Sequence, residues 1–361
     1  MLAKARNILI LFFAGLILLL VGCGTSTEDI DIDAIVEARI ASIPTATPQI
    51  VVQEVEVEKL VVQEVVKEIG VPVEVTVVVE KLVEVEAPVW KISTDDDGNF
   101  GLKVSSNSGY DKHVNHMAQN EHNYSYISDK NFARRGSFYQ RFELRDGDCF
   151  NDENWNDCDT DRERIELSSQ PRQKPEDIQC FAYSIMLDKD FIDIHPSNTT
   201  LGQIHQIGGP SGTAGAFPSF PPIIQIEVAK GRLLFRWHEL SGSASNVIDI
   251  GRDYELISLG EMKDKWTDIS FCLNYKDKRM DVWINGIKKH EILITISFIP
   301  ESTYFKYGIY RSFISKYKNH EKIFEREDKL PTQIVFYDEV RRGNSIEEVD
   351  FNINPKLKPV D

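Results

Sequence analysis

Hydrophobic and polar positions follow three patterns along this chain. The first is an apolar run over residues 8–21, preceded by Lys4 and Arg6 and closed by Leu20-Val21-Gly22-Cys23. At 14 residues it is short for a bilayer-spanning helix, and a charged start, apolar middle and small-residue end form the layout of a secretory signal. The second pattern is the Val and Glu alternation of residues 51–85, where 51–60 (VVQEVEVEKL) and 61–70 (VVQEVVKEIG) agree at their first five positions. A period of two reads as β, yet one strand with Val on a single face cannot close a core. The same stretch also spaces Val and Leu by three and four, as a coiled coil does. A spacer or self-associating stalk fits either reading. The third pattern starts at Trp90 and runs to about Arg342: short alternations separated by turn residues, the signature of an all-β sandwich. Residues 223–228 and 232–237 flank Ala229-Lys230-Gly231, and 279–284 and 287–292 flank Asn285-Gly286, so each pair is expected to form an antiparallel hairpin.

These patterns divide the chain into a signal peptide (1–22), a Val/Glu-rich stalk (23–89), a sandwich domain (90–345) and a C-terminal tail (346–361). Cys23, at the end of the apolar run, resembles the bacterial lipobox, in which the cysteine becomes the lipidated N-terminus. That implies an exported lipoprotein held at the membrane by its lipid, without a spanning segment. Oligomerisation through the stalk is a further expectation.

Composition narrows the picture. With 42% hydrophobic and 27% charged residues the chain is not wholly disordered. A net charge of −16 argues against nucleic acid as a partner, because phosphate binding needs an excess of Lys and Arg. Residues 1–90 hold 14 acidic and 6 basic side chains, which leaves the sandwich and tail at −8. Export also bears on the cysteines, since disulfides persist outside the cytosol. Cys149 and Cys158 bracket an acidic loop and are expected to pair, whereas Cys180 and Cys272 lie in apolar runs and read as small buried hydrophobes. The loop itself (Asp146, Asp148, Asp152, Glu153, Asp157, Asp159, Asp161) offers oxygens to Ca²⁺ but lacks EF-hand spacing, and reads as a solvated charged loop. His113, His116 and His122 read as surface histidines, and no metal site is expected.

Three strand-like segments sort polar and apolar groups to opposite faces. Arg162, Arg164 and Glu166 point one way while Ile165 and Leu167 point the other. Gln203 and His205 share a face. Tyr304, Lys306 and Tyr310 lie on one side, with Phe305, Tyr307 and Ile309 turned inward. An upstream copy of the first segment, Arg141-Phe142-Glu143-Leu144-Arg145, places Phe142 and Leu144 inward.

An R-x-E-L strand, a Q-I-H strand and a Y-F-K-x-G-x-Y strand, in that order, resemble the signature of the jelly-roll polysaccharide lyases, the group of alginate lyases, heparin lyase I and glucuronan lyase, over roughly residues 130–343. The resemblance implies a concanavalin A-like β-jelly roll, an anionic uronate-containing polysaccharide as substrate, cleavage by β-elimination, and no required cofactor. Such cleavage must neutralise the C6 carboxylate, remove the C5 proton and protonate the departing O4. Carried over by motif, Gln203 and Arg164 hold the carboxylate, His205 is base or polarising partner, and Tyr310 is the acid and a second candidate for the base. Tyr304, Lys306, Glu166, Arg162, Arg141 and Arg145 are expected to bind substrate.

The chain departs from the pattern at Ser168, where the family has a second Arg that Arg145 retains. Arg164 is preferred over Arg141 because it lies 39 residues before Gln203, nearer the family's spacing than 62, and both Arg pairs are expected on neighbouring strands of one face. A local basic cleft of Arg141, Arg145, Arg162, Arg164, Lys306 and Arg311 would offset the domain's negative charge. Two other functions compete. A non-catalytic lectin could use the same sandwich, although a lectin needs no acid–base pair. A glycoside hydrolase needs two facing carboxylates, and no strand supplies them.

Overall fold

Residues 81–361 form one compact unit. The computed structural model describes residues 89–90, 100–102, 106–115, 120–151, 156–175, 178–217, 221–320 and 329–361. The expected signal peptide, Cys23 and nearly all of the stalk lie outside the described residues.

The unit of residues 81–361 is an all-β jelly-roll sandwich whose described residues form two eight-stranded antiparallel sheets. The first sheet (sheet A) is ordered β1 (Val89–Trp90), β4 (Tyr124–Ser128), β5 (Phe138–Leu144), β16 (Gln333–Gly343), β7 (Ile178–Leu187), β12 (Thr267–Asn274), β13 (Arg279–Ile284) and β14 (Ile287–Leu293). The second (sheet B) is ordered β11 (Asn246–Ser258), β10 (Arg232–Ser243), β9 (Ile224–Ala229), β8 (Asn198–Ile207), β15 (Ser302–Ser312), β6 (Arg162–Gln170), β3 (Lys112–Asn115) and β2 (Phe100–Leu102). Both expected hairpins form, β9–β10 and β13–β14. Their turns place Lys230-Gly231 and Asn285-Gly286 at positive φ, as two-residue hairpin turns require.

The alternation works as its period dictates. Phe142, Leu144, Ile165, Leu167, Ile204, Phe305, Tyr307 and Ile309 are buried between the sheets with Tyr183 and Tyr337. Fully burying one such side chain contributes about 1.5–3 kcal/mol. Opposite faces of β6, β8 and β15 are left to polar groups.

Four expectations need correction. Cys180 and Cys272 are disulfide-bonded, as are Cys149 and Cys158. The two buried cysteines sit directly opposite one another on β7 and β12, a register between distant strands that local apolar runs do not reveal. His113 is a core residue whose Nδ1 is hydrogen-bonded to the Tyr307 hydroxyl, because its position on β3 faces the core. Residues 346–361 are no free tail. Val349, in helix α1 (Ile346–Val349), is buried against Cys180, Ala182, Cys272 and Trp283, Asp350 accepts a 2.6 Å bond from Ser270, and the Phe351 ring lies under the Arg134 and Arg135 guanidiniums. This segment covers part of the outer face of sheet A.

The fourth correction concerns the arginines. β5 and β6 belong to different sheets, so Arg141 and Arg145 do not share a face with Arg162 and Arg164. Both bond Glu143 instead. Arg311 is fully buried, bonded to Glu163 at 3.0 Å, to Gln333 at 2.9 Å and to two main-chain carbonyls. Its position puts it on the inward phase of β15, beyond the reach of any cleft.

Candidate active site

The outer face of sheet B collects the remaining motif residues because three strands lie side by side in the order β8, β15, β6. The register sets Tyr304 opposite His205, Lys306 opposite Gln203 and Ser168, and Tyr310 opposite Arg164. β15 carries an irregularity against β8 between Tyr307 and Tyr310. Gly308 sits there at φ +135°, where a Cβ would come within 2.2 Å of the Ile165 carbonyl, so the glycine of the Y-F-K-x-G-x-Y motif is sterically required. Two carbonyls at this irregularity are met from below: the Tyr337 hydroxyl lies 2.5 Å from Leu201 O and 2.8 Å from Gly308 O.

Three clusters follow along β15. In the first, Arg162 Nε donates to the Tyr310 hydroxyl oxygen at 2.8 Å, and the Arg164 guanidinium lies 4.3 Å above the Tyr310 ring. Arg164 is itself held by two 2.6 Å bonds to the fully buried Asp157 carboxylate. Burial pushes the Tyr310 hydroxyl above its ordinary value, against the pull of Arg164 and Arg162. It is therefore protonated at neutral pH, and its conjugate base would find two cations waiting.

The second cluster centres on Glu166, which is buried, accepts from Gln203 Nε2 at 2.5 Å and forms an ion pair with Lys306 Nζ at 2.7 Å, with Arg164 Nη1 at 3.6 Å. Burial alone would raise this carboxyl, but Lys306 and Arg164 outweigh it and hold it below the usual range. Burial pulls the Lys306 ammonium down, with Glu166 opposing. Gln203 thus has its amide oriented by a fixed anion, with a second N–H left for a ligand.

In the third, His205 stacks on Tyr304 with ring centroids 5.4 Å apart. Its Nδ1 lies 3.0 Å from the Gln206 N–H and 3.2 Å from the Gln206 carbonyl, so the main chain anchors that end of the ring in either tautomer. No protein bond engages Nε2 among the described residues. Burial, reinforced by Lys306, lowers the His205 pKa to about 4, so the ring is neutral near pH 7 and able to accept a proton. Arg172, exposed on the turn after β6, lies 5.3 Å over the Tyr304 ring.

Sequence reasoning missed two of these residues. Asp157 was counted among solvated loop acids, although its neighbour Cys158 closes the loop onto β6. Arg172 carries no motif. The other loop acids that are described also have partners. Asp146 pairs with Lys318 at 2.8 Å, Asp148 with His122 at 2.8 Å, and Asp161 accepts from Ser315. Asp152, Glu153 and His116 lie outside the described residues. Among the described residues no group of three or more His, Cys, Asp or Glu is placed to hold a metal ion.

The neighbouring half of the same face has the opposite balance. On β9 to β11, Arg236 meets Glu227 at 2.7 Å and Asp253 at 2.6 Å, while His238 lies between Asp249 at 3.0 Å and Gln225 at 2.7 Å. Glu227, Asp249 and Asp253 there surround Arg236 and His238.

The family described as polysaccharide lyase matches residues 104–341. No curated protein matches the chain. Among solved structures, the endo-β-1,4-glucuronan lyase of the fungus Trichoderma reesei is similar at 17% identity and a TM-score of 0.49, covering 70% of this chain and 97% of its own. A family 7 alginate lyase is similar at 12% identity and a TM-score of 0.41, covering 63% and 85%.

Proposed function

Because the chain belongs to the polysaccharide lyase family and is a polysaccharide lyase, we propose that the outer face of sheet B cleaves a uronate-containing anionic polysaccharide by β-elimination. Gln203 and Arg164 hold the C6 carboxylate and neutralise it, which makes the C5 proton acidic. His205 Nε2 takes that proton, in the tautomer whose Nδ1–H donates to the Gln206 carbonyl. The C5 electron pair forms the C4=C5 double bond as the C4–O4 bond breaks, and Tyr310 donates its proton to O4. Arg162 and Arg164 stabilise the phenolate until it regains a proton. Lys306 and Tyr304 line the sugar site, and Glu166 fixes Lys306 and Gln203 in place.

The observation that carries this reading is the pairing of a protonated Tyr310, gripped by two guanidiniums, with a neutral His205 on the same face. The test is direct. The domain is incubated with a panel of polyuronates, and the ultraviolet absorbance of the unsaturated product is followed. Product that appears with wild type and vanishes with Tyr310→Phe supports the assignment. A protein that binds a polyuronate yet never forms unsaturated product is a lectin, and the reading fails.

The apolar run ending at Cys23 supports a second proposal, that the enzyme is exported and anchored by a lipid on Cys23. Cys23→Ser is expected to release the protein from membranes or block its processing. A Cys23→Ser variant that stays with membranes at its normal mature size overturns this.

A further inference from the structure

We propose that Arg172 is a specificity-determining residue that binds the carboxylate of a second uronate, next to the one being cleaved, so that the substrate is a run of contiguous uronates. The proposal rests on the lyase reading above and adds to it the pattern of charge along the chain.

Four cations border the site, and three are already engaged. Arg164 is bonded to Asp157, Lys306 to Glu166, and Arg162 to the Tyr310 hydroxyl and the Thr160 carbonyl. Arg172 is exposed and has no carboxylate partner among the described residues. Its position is nonetheless fixed. The next residue, Gln173, exchanges two main-chain bonds with Thr303, at 2.8 and 2.7 Å, which ties the turn beside Tyr304. A guanidinium lying over a tyrosine ring keeps its N–H edge free, and that edge matches a carboxylate through two parallel bonds.

One sugar carries one carboxylate, and the grip for it is Gln203 with Arg164. Arg172 lies outside that grip: β8 brings His205 to one side of Tyr304, and the chain after β6 brings Arg172 to the other. A carboxylate that reaches Arg172 therefore belongs to a neighbouring sugar. On β9 to β11, Arg236 is held between Glu227 and Asp253, Arg232 pairs with Glu255 and Arg252 with Glu239. The arginines described on β10 and β11 thus each have a carboxylate partner, whereas Arg172 has none among the described residues.

The experiment uses Tyr310→Phe as a parent that holds substrate uncut. Calorimetry measures its affinity, and that of Tyr310→Phe/Arg172→Ala, for an oligouronate and for an oligosaccharide alternating uronate with neutral sugar. Removing one charged hydrogen-bonding group is expected to weaken oligouronate binding about ten-fold and flatten its salt dependence. Binding of the alternating sugar should stay unchanged. In the otherwise wild-type enzyme, Arg172→Ala should raise KM on polyuronate more than it lowers kcat. Equal oligouronate affinity in the two proteins overturns the role of Arg172 and leaves the lyase reading intact. Equal weakening for both sugars overturns the second-carboxylate role in favour of general steering. A parent that binds no uronate at all overturns both readings.

Discussion

The chain contains the same R-x-E-L pattern twice, Arg141-Phe142-Glu143-Leu144 on β5 and Arg164-Ile165-Glu166-Leu167 on β6, and the two copies behave differently. On β5, Glu143 is bonded by Arg141 and Arg145, its neighbours two residues away along the chain. The group is closed on itself. On β6, Glu166 is bonded from two other strands, by Lys306 and Gln203, while Arg164 is drawn off to Asp157 and the Tyr310 ring. Ser168, where the second arginine would be, lies directly opposite Lys306, and its small side chain leaves the ammonium a path to Glu166. A motif of this length fixes which groups face outward. The strands beside it decide whether those groups neutralise one another or stand ready for a ligand.

The largest expected effect separates the faces by chemistry. Tyr310→Phe removes one hydroxyl from the β6 side and should lower the elimination rate by about 10²–10⁴-fold with the fold retained, as read by product absorbance and thermal unfolding. His205→Ala and Gln203→Ala should each slow the reaction as well, and their combination should be less than additive.

Next in size is a contrast between the two glutamates. Glu166→Gln leaves the buried Lys306 ammonium without its counter-charge, Arg164 keeping Asp157, and should cost about 3–5 kcal/mol. Glu143→Gln disturbs a cluster whose Arg145 is half exposed, and should cost about 1 kcal/mol or less. Denaturant unfolding of the two variants gives the comparison. Equal losses would mean that the neighbouring strands do not set the difference.

The pH dependence sharpens it further. His205 has its pKa lowered to about 4 by burial, so it stays competent as a base as pH falls, and kcat/KM should hold down to about pH 5 and decline through about 4. Since Tyr310 is raised, the alkaline decline should fall above pH 10. An acid limb centred near 6.5 would mean that His205 is not the base. Stability follows the same sign. His205 and His113, the latter lowered to about 3, take up protons in the unfolded chain near pH 6.5 but not in the folded one, so stability is complete above 6.5 and is lost as pH falls below it. Smallest of all, Arg141→Ala should change activity and stability by no more than about 0.5 kcal/mol.

What could be read from the sequence was local. Alternation gives the inward and outward sets of β6, β8 and β15, and Asn285-Gly286 gives a turn, because a period or a positive φ is a property of adjacent residues. The Cys180–Cys272 bridge, the split of β5 and β6 between sheets and the docking of Phe351 depend on which distant strands become neighbours, and no local period encodes that. Asp157 was hidden for a related reason. In the sequence it is one acid of an aspartate-rich loop, and only the fold brings it against Arg164.

The support beneath Gly308 has a consequence for engineering. The seven residues from Tyr304 to Tyr310 look like a cassette that could be moved to another jelly roll, yet the kink that brings Tyr310 opposite Arg164 leaves Leu201 O and Gly308 O to a tyrosine from the other sheet. A graft that carried the strand without a counterpart to Tyr337 would lose the one hydroxyl proton these two carbonyls share, at a cost of about 1–3 kcal/mol, and the host would recover it by straightening the strand. The transferable unit is therefore the strand together with its tyrosine on the opposite sheet, two pieces separated by 26 residues of chain and inherited only as a pair.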